Sequence, residues 1–247
     1  MSDLDNQLEY WNTEGTQKVF GHPLNLERVS QWLSYESRIL DFGCGYGRSL
    51  GELFRAGYRN LIGFDFSPAM IAAARTRFPE IDFRVLQSSG RQSASVFESS
   101  VLPSPRESIP AFDSTARSSS GSIPLPEASV DGALVFSVLT CVPTDDGQRA
   151  LIAELHRVLR PGGLLYISDL WLQQDERNLT RYARDEAKYG NYGVFDLPEG
   201  VTVRHHSREW IATLTGDFER VALDEIEVLT MNRNPAQAFQ WFGLKKA

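Results

Sequence analysis

The stretch Arg38-Ile39-Leu40-Asp41-Phe42-Gly43-Cys44-Gly45-Tyr46-Gly47-Arg48 opens as a short apolar run and breaks into alternating glycines. It ends where Ser49-Leu50-Gly51-Glu52-Leu53-Phe54 takes up helical spacing. Strand, glycine turn and helix together describe a nucleotide-binding crevice at the carboxyl end of a parallel strand. Glycine allows a left-handed backbone and lets a ligand approach where a Cβ would stand.

A second apolar run, Asn60-Leu61-Ile62-Gly63-Phe64-Asp65, places a carboxylate at its tip. An acid about 20 residues past a glycine turn suits the hydroxyls of a ribose. The turn itself is not that of a dinucleotide binder. G-x-G-x-x-G counted from Gly43 needs a glycine where Arg48 stands, and Asp41 suits a cationic ligand better than a pyrophosphate. Asp41-x-Gly43-x-Gly45-x-Gly47, then Asp65 with Ser67-Pro68-Ala69-Met70, then Leu159-Arg160-Pro161-Gly162-Gly163, resemble three successive motifs of the class I S-adenosylmethionine (SAM)-dependent methyltransferases. The resemblance covers roughly residues 36–170, apart from one insertion.

That resemblance implies an α/β fold, Rossmann-like and doubly wound. Its seven-stranded sheet is mostly parallel with an antiparallel last strand, in the order 3-2-1-4-5-7-6. The cofactor would be SAM, with S-adenosylhomocysteine (SAH) as product. The cofactor site would comprise Asp41, Gly43, Gly45, Gly47, Asp65, Phe66, Ser67, Met70 and Ser137. In this reading Asp65 holds the ribose, Asp41 orients the turn and the ammonium, and Ser137 at the end of strand four faces the methionine half. Met70 would lie beside the adenine, although a core methionine needs no such role.

The pattern departs from the family after the third strand, Ile81–Leu86. The segment 88–122 is rich in Ser and Pro and reads as an insertion. The residue that would bind the adenine amino group is therefore open: Asp113 could supply the acid, or Gln87 or Ser88 could replace it. Strand four is expected over Val130–Phe136 and strand five over Leu164–Asp169. Helices are expected around Asn25–Leu33, with Leu26, Val29, Trp32 and Leu33 inward, at Ala69–Arg77, and before Pro161. Residues 1–35 read as a lid and first helix ahead of a SAM-binding domain over 36–247. Residues 171–206 read as an acceptor cap, and an antiparallel hairpin closes the chain, its last strand expected over Ala238–Leu244.

No base stands out. His22, His205 and His206 are the candidates, each with a structural role as its alternative. A neutral Cys141 thiol is a poor base. Arg177, Arg181 and Arg184 fall near helical spacing and suit an acidic acceptor, or a solvated helix neutralised by Asp175, Glu176 and Asp185. No metal-ligand spacing is present.

The chain has 247 residues and a formal net charge of −7. Acidity gives a phosphate backbone no general attraction, so no nucleic-acid partner is expected. No apolar run approaches a membrane span, and a cytoplasmic monomer or homodimer is expected. The reading is an enzyme that methylates an O, N or S atom of a small-molecule acceptor. The alternatives are a protein or tRNA methyltransferase and a non-catalytic SAM- or dinucleotide-binding protein.

Overall fold

The computed structural model describes residues 3–86 and 122–246. Gln87, Ser88 and Asp113, the candidates to bind the adenine amino group, lie outside the described residues, as does nearly all of the insertion.

The sheet is built outward from β1 (Ile39–Phe42), whose four residues are all buried. Parallel to it on one side lies β2 (Leu61–Asp65), and beyond that β3 (Asp82–Val85). On the other side come β4 (Val130–Phe136) and β5 (Leu159–Leu170), also parallel. Two cap strands, β6 (Val194–Asp196) and β7 (Thr202–Arg204), pair only with each other. The last two strands, β8 (Phe218–Leu229) and β9 (Pro235–Lys245), form an antiparallel hairpin, and β9 docks on β5. The full order is β3-β2-β1-β4-β5-β9-β8. This is the expected Rossmann-like sheet; the cap strands alone change the numbering of its last two members.

Both faces of the sheet are covered, so its central strands read as continuous apolar runs. Ile39, Leu134 and Tyr166 face one core, with α2 (Leu26–Trp32), α3 (Arg48–Ala56) and α4 (Pro68–Arg77). Leu40, Val135 and Ile167 face the other, with α5 (Asp145–Val158) and α7 (Arg208–Leu214). The helix starts are legible as side-chain caps: Asn25, Ser67, Thr144 and Ser207 each accept an amide three residues ahead.

Three expectations need correction. In α2 only Val29 is buried; Leu26 and Trp32 are exposed, because the helix meets the core along a stripe one residue wide. β5 starts five residues before the expected Leu164: α5 ends at Val158, and Arg160-Pro161-Gly162-Gly163 is a bulge in the strand, where Val130 pairs with Leu159 and Gly132 with Leu164. Proline cannot donate to a ladder, which confines it to such irregular places. β9 starts at Pro235 rather than Ala238.

The N-terminal segment, with α1 (Asp3–Asn12), is tied by hydrogen bonds to β7, to the β8–β9 turn and to the start of α4. Gln7 donates to the Thr202 carbonyl at 2.7 Å, and Lys18 meets Asn232 Oδ1 at 2.7 Å in the β8–β9 turn. Ser67 donates its hydroxyl to the Trp11 carbonyl and Asn12 Oδ1, at 3.1 and 2.7 Å.

Candidate functional site

The turn after β1 holds Gly43, Gly45 and Gly47, all left-handed at φ +71°, +51° and +81°. At Gly43 an added Cβ would collide with the Val138 side chain; at Gly45 it would project into open space with only the Phe20 ring nearby, at 3.8 Å. That space is a cradle that a side chain would fill. Its floor is fixed by Asp65: Oδ2 accepts the Gly45 amide at 2.9 Å and Oδ1 accepts the Ser67 amide at 2.8 Å. Each oxygen retains a lone pair for a further donor. Burial raises the Asp65 pKa, and the amides of Ser67, Gly45 and Phe66 pull it back.

Asp41 differs from Asp65. Its side chain is buried, and among the described residues no hydrogen bond reaches its carboxyl. Burial pushes its pKa up to about 8; the nearby Arg48 cation lowers it and Asp65 raises it. Two neighbouring carboxyls beside the glycine turn, close enough that Asp65 raises the Asp41 pKa, suit a ligand that carries positive charge and hydroxyls. SAM, with a sulfonium, an ammonium and a ribose, meets both requirements.

The remaining residues named from sequence fall into distinct places. Phe66 packs edge-on against Phe42 and joins the core. The Ser67 hydroxyl caps α4 and ties down the N-terminal segment. Met70 is buried in the first turn of α4. Ser137 sits at the tip of β4 with φ +55°, a strained conformation of the kind that persists where surrounding structure enforces it.

Ser137 also lines a separate cleft of about 780 Å³, open mouth included. Trp11, Phe20 and His22 from the N-terminal segment form one wall. Helix α6 (Glu176–Tyr189) and strands β6 and β7 form another, and the β8–β9 turn closes the third. Trp11 and Phe20 both line the cleft, with Phe20 against Tyr46 at 5.6 Å between ring centroids.

The three histidines separate. His22 is buried beneath this wall, its Nδ1 2.9 Å from Ser168 Oγ, and no protein partner is found for Nε2 among the described residues. Burial, and secondarily Arg48, lower its pKa to about 4, so it is neutral at pH 7. His205 lies 2.5 Å from the Tyr182 hydroxyl through Nδ1. The phenol oxygen accepts the Gln173 amide and has no other acceptor for its own hydrogen, so Tyr182 donates to Nδ1 and His205 carries its hydrogen on Nε2. His205 is thus a donor through Nε2 rather than a base.

His206 is not in the cleft. It lies on the opposite face of the sheet from His22, where Nδ1 donates to the Leu170 carbonyl at 3.2 Å and Nε2 faces Gln148 Nε2 at 2.9 Å. It is a core histidine, held neutral by burial at a pKa of about 3. Beside it Asp169, which the sequence reading passed over, accepts the Thr140 and Leu170 amides at 3.1 and 2.8 Å. It thereby staples the turn after β4 to the end of β5. A lone acid at the end of an apolar strand was the available signal. Cys141 lines the cleft as a thiol, its pKa raised by burial and by Asp169 and Asp65.

Comparison with known proteins fits this geometry. A family model described as "Methyltransferase domain" matches residues 40–167, about half of the chain. A Mycolicibacterium smegmatis protein named "Probable S-adenosylmethionine-dependent methyltransferase" is 28% identical over 130 residues, 53% of this chain and 37% of its own. Mouse (Mus musculus) EEF1A lysine methyltransferase 4 is 30% identical over 83 residues, 30% of this chain and 32% of its own. The chain therefore matches only about a third of the length of these curated relatives. A solved SAM-dependent methyltransferase from Methanosarcina mazei superposes with a TM-score of 0.71, at 22% identity, over 91% of this chain and 99% of that one, a likeness of fold. The matched segment runs from β1 into β5, the strands whose ends build the cradle, and the chain belongs to the class I SAM-dependent methyltransferases.

Proposed function

We propose that the chain transfers the methyl group of SAM to an oxygen, nitrogen or sulfur atom of a small molecule seated in the cleft. The observation that carries this reading is the position of Ser137, which ends β4 between the glycine cradle and a walled cleft of molecular size.

When bound, SAM supplies an electrophilic methyl carbon whose bonding pair leaves to sulfur, giving SAH. The chain's own residues supply position. Asp65 accepts from the ribose hydroxyls, Gly45 leaves room for the nucleoside, and the ionised Asp41 favours the cationic end. Residues 1–35 act as a lid, since Trp11 and Phe20 wall the cleft and the segment is tied to the cap and the hairpin. Residues 171–206 act as the acceptor cap. Alignment of two reactants in such an enclosure supplies much of the rate. Where the acceptor loses a proton, His22 is the histidine placed to take it, in the tautomer whose Nδ1–H donates to Ser168 Oγ and leaves Nε2 free; burial, which lowers its pKa to about 4, makes it a weak base.

The mouse relative's name raises a protein lysine as a second acceptor. The cleft favours a small anionic molecule: Arg177 and Arg181 line it and, among the described residues, no carboxylate does, so the local field opposes an incoming lysine cation. Net acidity argues against nucleic acid. Among the described residues no helix is long and apolar enough to cross a membrane.

Thermal-shift titration tests the cofactor. A ligand that binds the folded state alone raises the melting temperature. SAM and SAH are expected to raise it and NADH to leave it unchanged; a shift with NADH and none with SAM overturns the reading.

A further inference from the structure

Helix α6 carries three arginines into different surroundings. Arg184 is spent on Asp185, with Nε to Oδ1 at 2.7 Å, and also donates to the Asp196 carbonyl at 3.1 Å. Arg177 lies on the cleft wall, with Asp175 at 3.6 Å. Arg181 also lines the cleft, is half-buried, and has no carboxylate within ion-pair distance among the described residues. Its one side-chain hydrogen bond is a long one, 3.5 Å to Asn178 Oδ1, and its guanidinium lies 5.5 Å from the centre of the Phe195 ring.

A half-buried guanidinium beside a second one, with its fork unfilled, is an unfavourable arrangement in an empty protein. Burial and the Arg177 and Arg184 cations press the Arg181 pKa downward, and Asp175 and Glu199 act on it only from beyond contact range. An entering anion reverses the sign of that local field. The rest of the cleft is apolar on one side, through Phe195, Leu197 and Val203, and is lined by the neutral polar side chains of Asn178 and His205 on the other. A planar fork matches a carboxylate with two parallel hydrogen bonds.

We propose that the acceptor is a small carboxylate with an apolar body, anchored by its carboxylate on Arg181, with Arg177 adding field, and methylated at another atom. The inference rests on the methyltransferase reading, because it treats the cleft as the acceptor's seat.

The test uses the full chain saturated with SAH and measures binding of matched pairs by calorimetry: salicylate and salicylamide, phenylacetate and phenylacetamide, octanoate and octanamide. At least one carboxylate is expected to bind about tenfold or more tightly than its amide, the scale of a charge-assisted hydrogen bond. Arg181→Gln is expected to erase that difference, Arg177→Gln to reduce it, and Arg184→Gln to leave it unchanged. Amides that bind as well as acids, no binding by any carboxylate to the SAH-loaded chain, or an equal loss in Arg184→Gln overturns the inference. The wild-type acid–amide comparison stands even if Arg181→Gln does not fold. SAH binding is recorded in the same titrations. Its absence refutes the methyltransferase reading and with it the acceptor role; its presence without carboxylate preference refutes the anchor alone.

Discussion

Asp65→Ala is expected to weaken SAH binding by about 1–3 kcal/mol and to lower the stability of the free chain by a comparable amount, the scale for polar groups left without partners. Two effects share one cause. The carboxylate receives the Gly45 and Ser67 amides, so it holds the glycine turn to the start of α4 before any ligand arrives. Removing it leaves two amides without their acceptors and also removes the acceptor for the ribose. Calorimetry with SAH and urea denaturation without ligand measure the two losses. Unchanged affinity would take Asp65 out of the cofactor site.

Asp41→Asn is expected to weaken SAM binding by about 1.5–3 kcal/mol, the range for interactions with a charged group, while raising the stability of the free chain at pH 8. The opposite stability sign follows from the missing hydrogen bonds. With a folded-state pKa of about 8 against an ordinary carboxyl value of 3.8, the folded chain holds the Asp41 proton more tightly than the unfolded chain. Its contribution is therefore greatest below the unfolded value and is lost as pH rises through the folded value. The stability gain in Asp41→Asn should shrink steadily as pH falls below about 8 and vanish only near 3.8, where the unfolded carboxyl is neutral as well. A cation favours the ionised carboxyl, so wild-type SAM affinity should climb with pH between about 6 and 7.5. In the variant it should climb less. Equal pH dependence in both proteins would show that Asp41 does not sense the ligand.

The paired carboxyls also show what a sequence discloses. The glycine turn, the acid at the tip of β2 and the caps at Asn25, Ser67 and Ser207 are local features, and each stands where its residue chemistry places it. The parallel strands are legible because a sheet covered on both faces needs unbroken apolar runs. What could not be read is what two distant segments do to each other. Nothing in Leu26 or Trp32 shows that only Val29 and Leu33 would meet the core. His205 and His206 are neighbours in sequence, yet one faces the cleft through Tyr182 and the other sits against Gln148 in the core. Arg177, Arg181 and Arg184 looked alike by spacing, and only the fold gives Arg184 its carboxylate while leaving Arg181 on the cleft wall. The cleft itself is assembled from the N-terminal segment, the cap and the last hairpin, which lie far apart along the chain.

A crystal structure with SAH bound tests the central claim most directly. The account predicts the ribose hydroxyls within hydrogen-bond distance of the Asp65 carboxylate and the nucleoside over Gly45. It also places the sulfur facing the cleft beyond Ser137. SAH bound elsewhere, or an Asp65 that keeps only its two backbone amides while the ribose lies out of reach, would contradict it.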